Sequence, residues 1–205
     1  MTRGASRAPA DWLSLLEPVG ITGDLARTVA GFLALLTRWG RAVDLVGALD
    51  PATLVGDAAE SLAALPWLDP VGRMLDVGSG NGFPAIPLLL ARPMLDAVLL
   101  EPRERRWAFL KEVTRELGVR AEVRRERLAE HSESGYDAMT VRGVAIEQWE
   151  SHVPRLVREG GTVLWWTSAE RAERLVGGAP SGHVIHCPLP IPATGSLAVW
   201  RRRST

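Results

Sequence analysis

The sequence predicts an α/β fold, a Rossmann-like sheet of seven strands with a helical N-terminal extension, and three observations carry that prediction. Residues 1–68 show only the helical spacing of apolar side chains. From Arg73 onward, strand-sized apolar runs alternate with helix-sized segments, which is the pattern of a parallel sheet covered on both faces. At the end, two strand-like runs are separated only by a turn-rich segment with Pro188, Pro190, Pro192 and Gly195, which suits an antiparallel closing pair. The expected division is an extension over residues 1–68 packed on a core over 69–205.

Taken in order, residues 1–10 are small and polar with a proline and read as a loose tail. Trp12, Leu13, Leu15 and Leu16 space a short helix from Asp11, ended by Pro18-Val19-Gly20. Thr22 reads as the N-cap of a second helix whose apolar stripe is Leu25, Val29, Phe32, Leu33, Leu36 and Trp39. A third helix starts after Asp50-Pro51 and runs through Leu54, Ala58, Leu62 and Ala63 to Pro66. The first strand is expected at 73–78, then a helix at 83–92 that takes Pro84 in its first turn, where a missing N–H costs little. A second strand at 96–101 leads to a helix over 103–117 with Trp107, Phe109 and Leu110 facing inward. The third strand is expected at 119–124, the fourth at 136–141, a helix over 146–158, and a fifth strand at 161–166 after Gly160-Gly161. A helix at 168–176 stops at Gly177-Gly178-Ala179-Pro180, and the last strands fall at 182–187 and 195–201.

Composition narrows the class. A chain of 205 residues with 46% hydrophobic content supports one packed domain. Lys plus Arg and Asp plus Glu both number 24, so any basic, nucleic-acid-binding face has to be local. The single cysteine, Cys187, excludes an internal disulfide and a multi-cysteine zinc site, and the spacing of His131, His152, His183 and His186 is not that of a metal site. The longest apolar stretches are strand-sized, so neither signal peptide nor membrane span is expected, and a monomeric cytoplasmic protein is the reading.

The chemistry concentrates in Met74-Leu75-Asp76-Val77-Gly78-Ser79-Gly80-Asn81-Gly82-Phe83-Pro84, a strand that breaks into a glycine-rich turn and then a helix. Glycine lets the main chain approach a ligand closely, so a β-branched residue at Gly78 or Gly80 is expected to occupy ligand space. A dinucleotide site needs a third glycine at position 83, where this chain has Phe. The observed G-x-G-x-G with Asp76 two residues ahead is the form of the loop in S-adenosylmethionine-dependent methyltransferases. That ligand carries no pyrophosphate, and its cationic sulfonium and amino-acid end suit a carboxylate such as Asp76. Glu101, 23 residues after Gly78 at the end of the second strand, is placed to bond ribose hydroxyls and is expected to be partly exposed.

Read on as D-V-G-S-G-N-G-F-P-A-I-P-L, the turn resembles that of the bacterial 16S ribosomal RNA guanine-N7 methyltransferases, the glucose-inhibited division protein B family, with Pro84, Ile86, Pro87 and Leu88 matching its extension. The resemblance spans roughly residues 30–200 and includes Arg105-Arg106-Trp107-Ala108-Phe109-Leu110, where the family has K-R-x-x-F-L after an acidic residue. It implies S-adenosyl-L-methionine as cofactor and 16S rRNA or the small ribosomal subunit as partner. It implies Asp76, Gly78, Ser79, Gly80, Gly82, Phe83 and Glu101 at the cofactor, with Leu128 and Ala129 of Arg127-Leu128-Ala129-Glu130 beside the adenine. Arg142, the arginine kept from an S-R-A tripeptide that ends the fourth strand, is implied in catalysis and in cofactor contact.

The departures concern charge. The family's Arg-His pair in the third helix is Gly56-Asp57 here, a lysine after the fifth strand is Thr167 following Trp165-Trp166, and a basic stretch before the last strand is Thr194-Gly195-Ser196. The cofactor end therefore reads as intact and the RNA face as eroded. Guanine N7 presents a lone pair without losing a proton, so methyl transfer needs alignment and no general base. The fourth strand lacks the D/N-P-P-Y tetrapeptide of amino-methyltransferases. Arg142 has an alternative role as a partner of Asp137 or of a surface acid, and of Trp165-Trp166 either one lines the crevice while the other fills the core or both are packing residues. The interleaved charges from Arg103 to Arg127 read as solvated faces, and Arg201-Arg202-Arg203 as a basic tail able to reach RNA or to solubilise the end. Two further readings fit the residues: a divergent methyltransferase for another RNA or a small aromatic molecule, and a non-catalytic cofactor-binding interaction protein.

Overall fold

Strand β1 (Val71–Val77), buried from Met74 to Val77, is paired on both sides, in parallel, with β2 (Met94–Leu100) and β4 (Tyr136–Arg142). The computed structural model describes residues 9–43, 50–178, 182–185 and 195–202. Within them β3 (Ala121–Arg124), β5 (Val157–Ser168), β6 (Gly182–Ile185) and β7 (Gly195–Arg201) complete a seven-stranded sheet ordered β3-β2-β1-β4-β5-β7-β6. β7 runs antiparallel to both β5 and β6, the closing pair expected from the proline-rich connection.

Side chains alternate across the sheet and divide the core into two. On one face Met74, Ala97, Leu99, Ala138, Leu164 and Leu197 pack under α1 (Pro9–Leu16), α2 (Gly23–Val43), α3 (Pro51–Leu62), α4 (Ala85–Ala91) and α5 (Glu104–Leu117). On the other, Leu75, Val98, Met139, Val163 and Ala198 meet α6 (Val153–Leu156), α7 (Ala169–Gly178) and the intervening 3-10 turns through Trp149, Leu156 and Ala172. The helices before Leu68 thus share a core with the sheet. Val29, Phe32, Leu33 and Leu36 of the α2 stripe are fully enclosed, and Phe32 packs edge-on against Phe83 with centroids 5.1 Å apart.

Local chemistry explains the helix ends. Asp50 caps α3 by accepting from the Thr53 N–H at 3.0 Å, with Pro51 next in line. Gly118, at φ 63°, closes α5 in the left-handed conformation.

Several expectations are corrected. α1 begins at Pro9, inside the stretch read as a tail. Pro84 is the N-cap of α4 and not part of its first turn, so that helix starts at Ala85. The helix expected over 146–158 is two 3-10 turns, Ile146–Gln148 and Glu150–His152, followed by the short α6. Pro154 lacks the N–H that would continue the ladder from the preceding turns, and its ring opposes the carbonyl four residues back. β5 begins at Val157, four residues early, with Gly160 at φ 73° making an irregular step. Arg201-Arg202 is no free tail: Arg201 lies in β7, the Arg202 N–H donates to Gly161 O at 2.9 Å, and its guanidinium bonds Val157 O. Residues 1–8, Cys187, His186, Thr194 and Arg203 lie outside the described residues.

Because Phe32 ties α2 to the glycine turn and the sheet, Phe32→Ala should cost about 3–5 kcal/mol while urea unfolding stays a single transition by circular dichroism and tryptophan fluorescence. Two separated transitions would show that the helices before Leu68 fold apart from the sheet.

Candidate active site

The turn that leaves β1 is held by its neighbours' backbone. Ser79 N–H donates to Leu100 O at 2.9 Å and Gly80 N–H to Glu101 Oε2 at 3.0 Å, while Glu101 Oε1 accepts from Arg103 N–H at 2.8 Å. Glu101 is consequently 3% exposed, where part exposure was expected: two amides draw the carboxylate under the turn. Each of its oxygens keeps a lone pair for a further donor.

The glycines are not equivalent. A Cβ on Gly78 (φ 71°) would lie 2.6 Å from Val144 Cγ2, and one on Gly82 (φ 94°) 2.9 Å from Ile86 Cγ1 and 3.1 Å from Phe32 Cζ. Those two make room for the protein itself. A Cβ on Gly80 (φ 55°) would meet nothing nearer than Gly78 O at 3.6 Å and Arg106 Nη1 at 3.7 Å. Of the three, only Gly80 leaves room for a Cβ without a clash.

Asp76 shares its sheet face and its register position with Thr140, whose hydroxyl donates to Oδ1 at 2.6 Å. Its Oδ2 is buried and has no partner. Burial pushes the Asp76 carboxyl up to about 6, offset only in part by the Ser79 and Thr140 hydroxyls. An orphaned carboxylate oxygen beside an open glycine backbone fits a ligand that brings a cationic donor, as S-adenosylmethionine does. Among the other expected cofactor residues, Ser79 and Phe83 are buried in the turn, while Leu128 and Ala129 occupy the turn after β3, the first packed into the core and the second exposed.

Arg142, at the end of β4, pairs with acids other than Asp137. Asp137 bonds Arg158 and the Arg73 N–H, whereas Arg142 Nη2 donates to Asp57 Oδ1 at 2.5 Å and Glu60 Oε2 at 2.8 Å on α3. Arg142 Nη1 is buried without a partner, and the guanidinium lies 6.0 Å from the Phe83 ring centroid. Desolvation raises the Glu60 carboxyl, with the Arg142 charge opposing it. These three side chains line a cavity of about 480 Å³ with Gly143, Trp166, Thr167, Ser168, Gly195 and Ser196. Trp166 is the member of the tryptophan pair at the crevice, its Nε1 donating to Glu60 O at 2.9 Å, and Trp165 packs edge-on against Trp149 in the opposite core. Asp57, Thr167 and Gly195-Ser196, the positions lacking the family's charge, therefore meet at one cavity.

Sequence reasoning missed Thr140 and Glu60. The only signal for Thr140 was a polar residue inside an apolar strand, and for Glu60 its place one turn after Asp57. His131 is buried between Glu126 Oε1 (2.6 Å) and the Tyr136 hydroxyl (2.8 Å).

The family model for GidB, rRNA small subunit methyltransferase G, matches residues 26–178. The protein of Alkalilimnicola ehrlichii described as ribosomal RNA small subunit methyltransferase G is 37% identical over 156 residues, covering 73% of this chain and 70% of that protein. The one so described from Stenotrophomonas maltophilia is 32% identical over 186 residues, covering 86% and 85%. Among solved structures, the tRNA (m1A58) methyltransferase TrmI of Aquifex aeolicus has a TM-score of 0.59 at 14% identity, over 71% of this chain and 69% of that one. An RNA methyltransferase of Salinibacter ruber in complex with S-adenosyl-L-homocysteine has a TM-score of 0.56 at 17% identity, over 72% and 91%. At these identities the structural likeness is one of fold.

The Asp76 pKa has a stability consequence. Folding raises it from 3.8 to about 6, so the folded state holds the proton more tightly than the unfolded state. The ligand-free protein should lose stability as pH rises from about 4 through 6, by up to about 3 kcal/mol. Asp76→Asn should therefore melt higher than wild type at pH 8, with the difference shrinking toward pH 4. A variant that melts lower at pH 8 would count against the buried charge penalty.

Proposed function

We propose, from the premise that this chain belongs to the GidB family, rRNA small subunit methyltransferase G, that it transfers a methyl group to guanine N7 of 16S rRNA in the small ribosomal subunit. It is an S-adenosylmethionine-dependent methyltransferase. The observation that carries the reading is the arrangement at the ends of β1 and β2, where buried Asp76 Oδ2 is unpartnered, Glu101 retains acceptor capacity and Gly80 leaves room for a Cβ without a clash. Crevices outside the carboxyl ends of strands are where open α/β sheets bind ligands.

When bound, S-adenosylmethionine supplies an electrophilic methyl group on a positively charged sulfur. In this reading Asp76 accepts a hydrogen bond from the cofactor's ammonium end, Glu101 accepts from ribose hydroxyls, and Gly80 lets the main chain come close. Leu128 and Phe83 give apolar surface, Ala129 meets the adenine through its backbone, and Gly78, Ser79 and Gly82 hold the turn in shape. Arg142 orients the target base at the edge of this crevice. No side chain has to take a proton from guanine N7.

RNA phosphate is assigned to another surface. Arg142 is committed to two carboxylates, whereas Arg103, Arg105 and Arg106 at the start of α5 form no ion pair among the described residues, and Arg106 stands beside Gly80. The reading also has the protein act as a monomer in the cytoplasm. Among the described residues no helix is long and apolar enough to cross a membrane.

Three measurements test this. RNA from a strain lacking the chain should miss one 7-methylguanosine present in its parent, and identical nucleoside profiles would refute the substrate assignment. In calorimetry, Gly80→Val and Asp76→Asn should each weaken S-adenosylhomocysteine binding at least 10-fold, on the order of 1.4 kcal/mol or more. Equal affinity in both variants would put the ligand elsewhere. In filter-binding salt titrations, Arg105→Ala with Arg106→Ala should flatten the slope by about one unit per lost phosphate contact. An unchanged slope would move the RNA away from α5.

A further inference from the structure

We propose that the cavity between α3 and the ends of β4 and β5 is the pocket for the target guanine, with the Glu60 and Asp57 carboxylates accepting its N1–H and 2-amino hydrogens and stabilising the charge it acquires. This rests on the guanine-N7 reading above. The cavity, about 480 Å³, falls in the range of small-ligand sites and exceeds what one base fills. It adjoins the cofactor crevice: Val144 packs on Gly78, and the guanidinium of Arg142 lies 6.0 Å from the ring centroid of Phe83.

The lining selects the ligand. Two carboxylates face one guanidinium, so with both ionised the pocket carries an excess negative charge and disfavours phosphate. Both carboxylates bond the same nitrogen, Arg142 Nη2, through Asp57 Oδ1 and Glu60 Oε2. Asp57 Oδ2 and Glu60 Oε1 accept no hydrogen bond among the described residues, leaving two acceptors in the cavity wall. Guanine presents two adjacent donors, N1–H and the 2-amino group, along its Watson–Crick edge, the edge by which an extruded base is read. Adenine has an acceptor at N1, which a carboxylate repels. The buried, unpartnered Arg142 Nη1 is a donor suited to guanine O6, beside N7 but distinct from it, so the N7 lone pair stays free. The Trp166 indole in the wall offers a flat surface for stacking.

The reaction makes the same demand. Guanine N7 donates its lone pair to form the N–CH₃ bond as the S–CH₃ bond breaks, the electron pair of that bond remaining on sulfur. No proton moves, and the positive charge passes to the purine. Carboxylates already in place around the base favour that charge in the transition state.

The test begins with wild-type protein and small subunits from an unmethylated strain, and the modified guanine is mapped. No 7-methylguanosine would overturn both the parent reading and the pocket. With transfer established, Glu60→Gln should lower kcat about 10-fold or more and Asp57→Asn should lower it less, with S-adenosylhomocysteine affinity and melting temperature held near wild type. Asp57→Asn serves as the readout if Glu60→Gln does not fold. RNA ligated to carry inosine at the mapped position lacks the 2-amino group, and the resulting slowing in wild type should shrink in Glu60→Gln, or in Asp57→Asn where that is the variant used. An undiminished inosine effect, or wild-type kcat in the folded variants, would overturn the pocket while leaving the methyltransferase reading intact.

Discussion

The ligand end of the sheet depends on how β1 is terminated. A strand hydrogen-bonded on both sides cannot turn out of the sheet without stranding backbone donors, and buried donors without partners are costly. Here the Leu100 carbonyl and the Glu101 carboxylate take the Ser79 and Gly80 N–H groups. The positive φ at Gly78 and Gly82 fits the turn between Val144, Ile86 and Phe32. Asp76 is held in the opposite sense, with one oxygen satisfied by Thr140 and one left without a partner, so that burial disfavours its charged form. Under the proposed function, folding and ligand binding would make opposing demands on this one carboxylate.

Charge is balanced overall, yet its local arrangement is uneven. Arg38, Arg73, Arg115, Arg120, Arg124, Arg125 and Arg158 are paired with Glu116, Glu133, Glu112, Asp96, Glu122, Glu104 and Asp137, mostly at the surface, where such pairs stabilise by about 1 kcal/mol or less. Their effect is mainly to remove positive potential from most of the molecule. Among the described residues, Arg103, Arg105 and Arg106 gather without an ion pair at the start of α5, beside Gly80, while the cavity under α3 is lined by two carboxylates and one guanidinium. Under the proposed function, a polyanion and a donor-rich base would meet neighbouring but different surfaces. The absence of family charge at Asp57, Thr167 and Ser196 belongs to the second surface and says little about the first.

The strand-helix alternation, the glycine turn and the acidic residues at the ends of the first two strands were legible in the sequence because each is a local signal: period-two burial, a backbone conformation only glycine takes easily, a carboxylate at a fixed offset. Boundaries failed where a local signal had a competitor. Pro154 broke a segment with helical composition into short turns, and β5 reached back to Val157 because pairing of Val157 with Tyr136 of β4, not its own propensity, sets its start.

By itself the sequence determined the fold class, the place of the glycine turn and the family. Only the tertiary structure decided that Asp57 and Glu60 hold Arg142 across more than eighty positions of chain, that Glu101 is buried under the turn, and that Gly80 alone among the three turn glycines has room for a Cβ without a clash. The reason is physical: burial, ion pairing and steric room are properties of groups brought together from distant segments, and no local pattern of residues encodes which of them will meet.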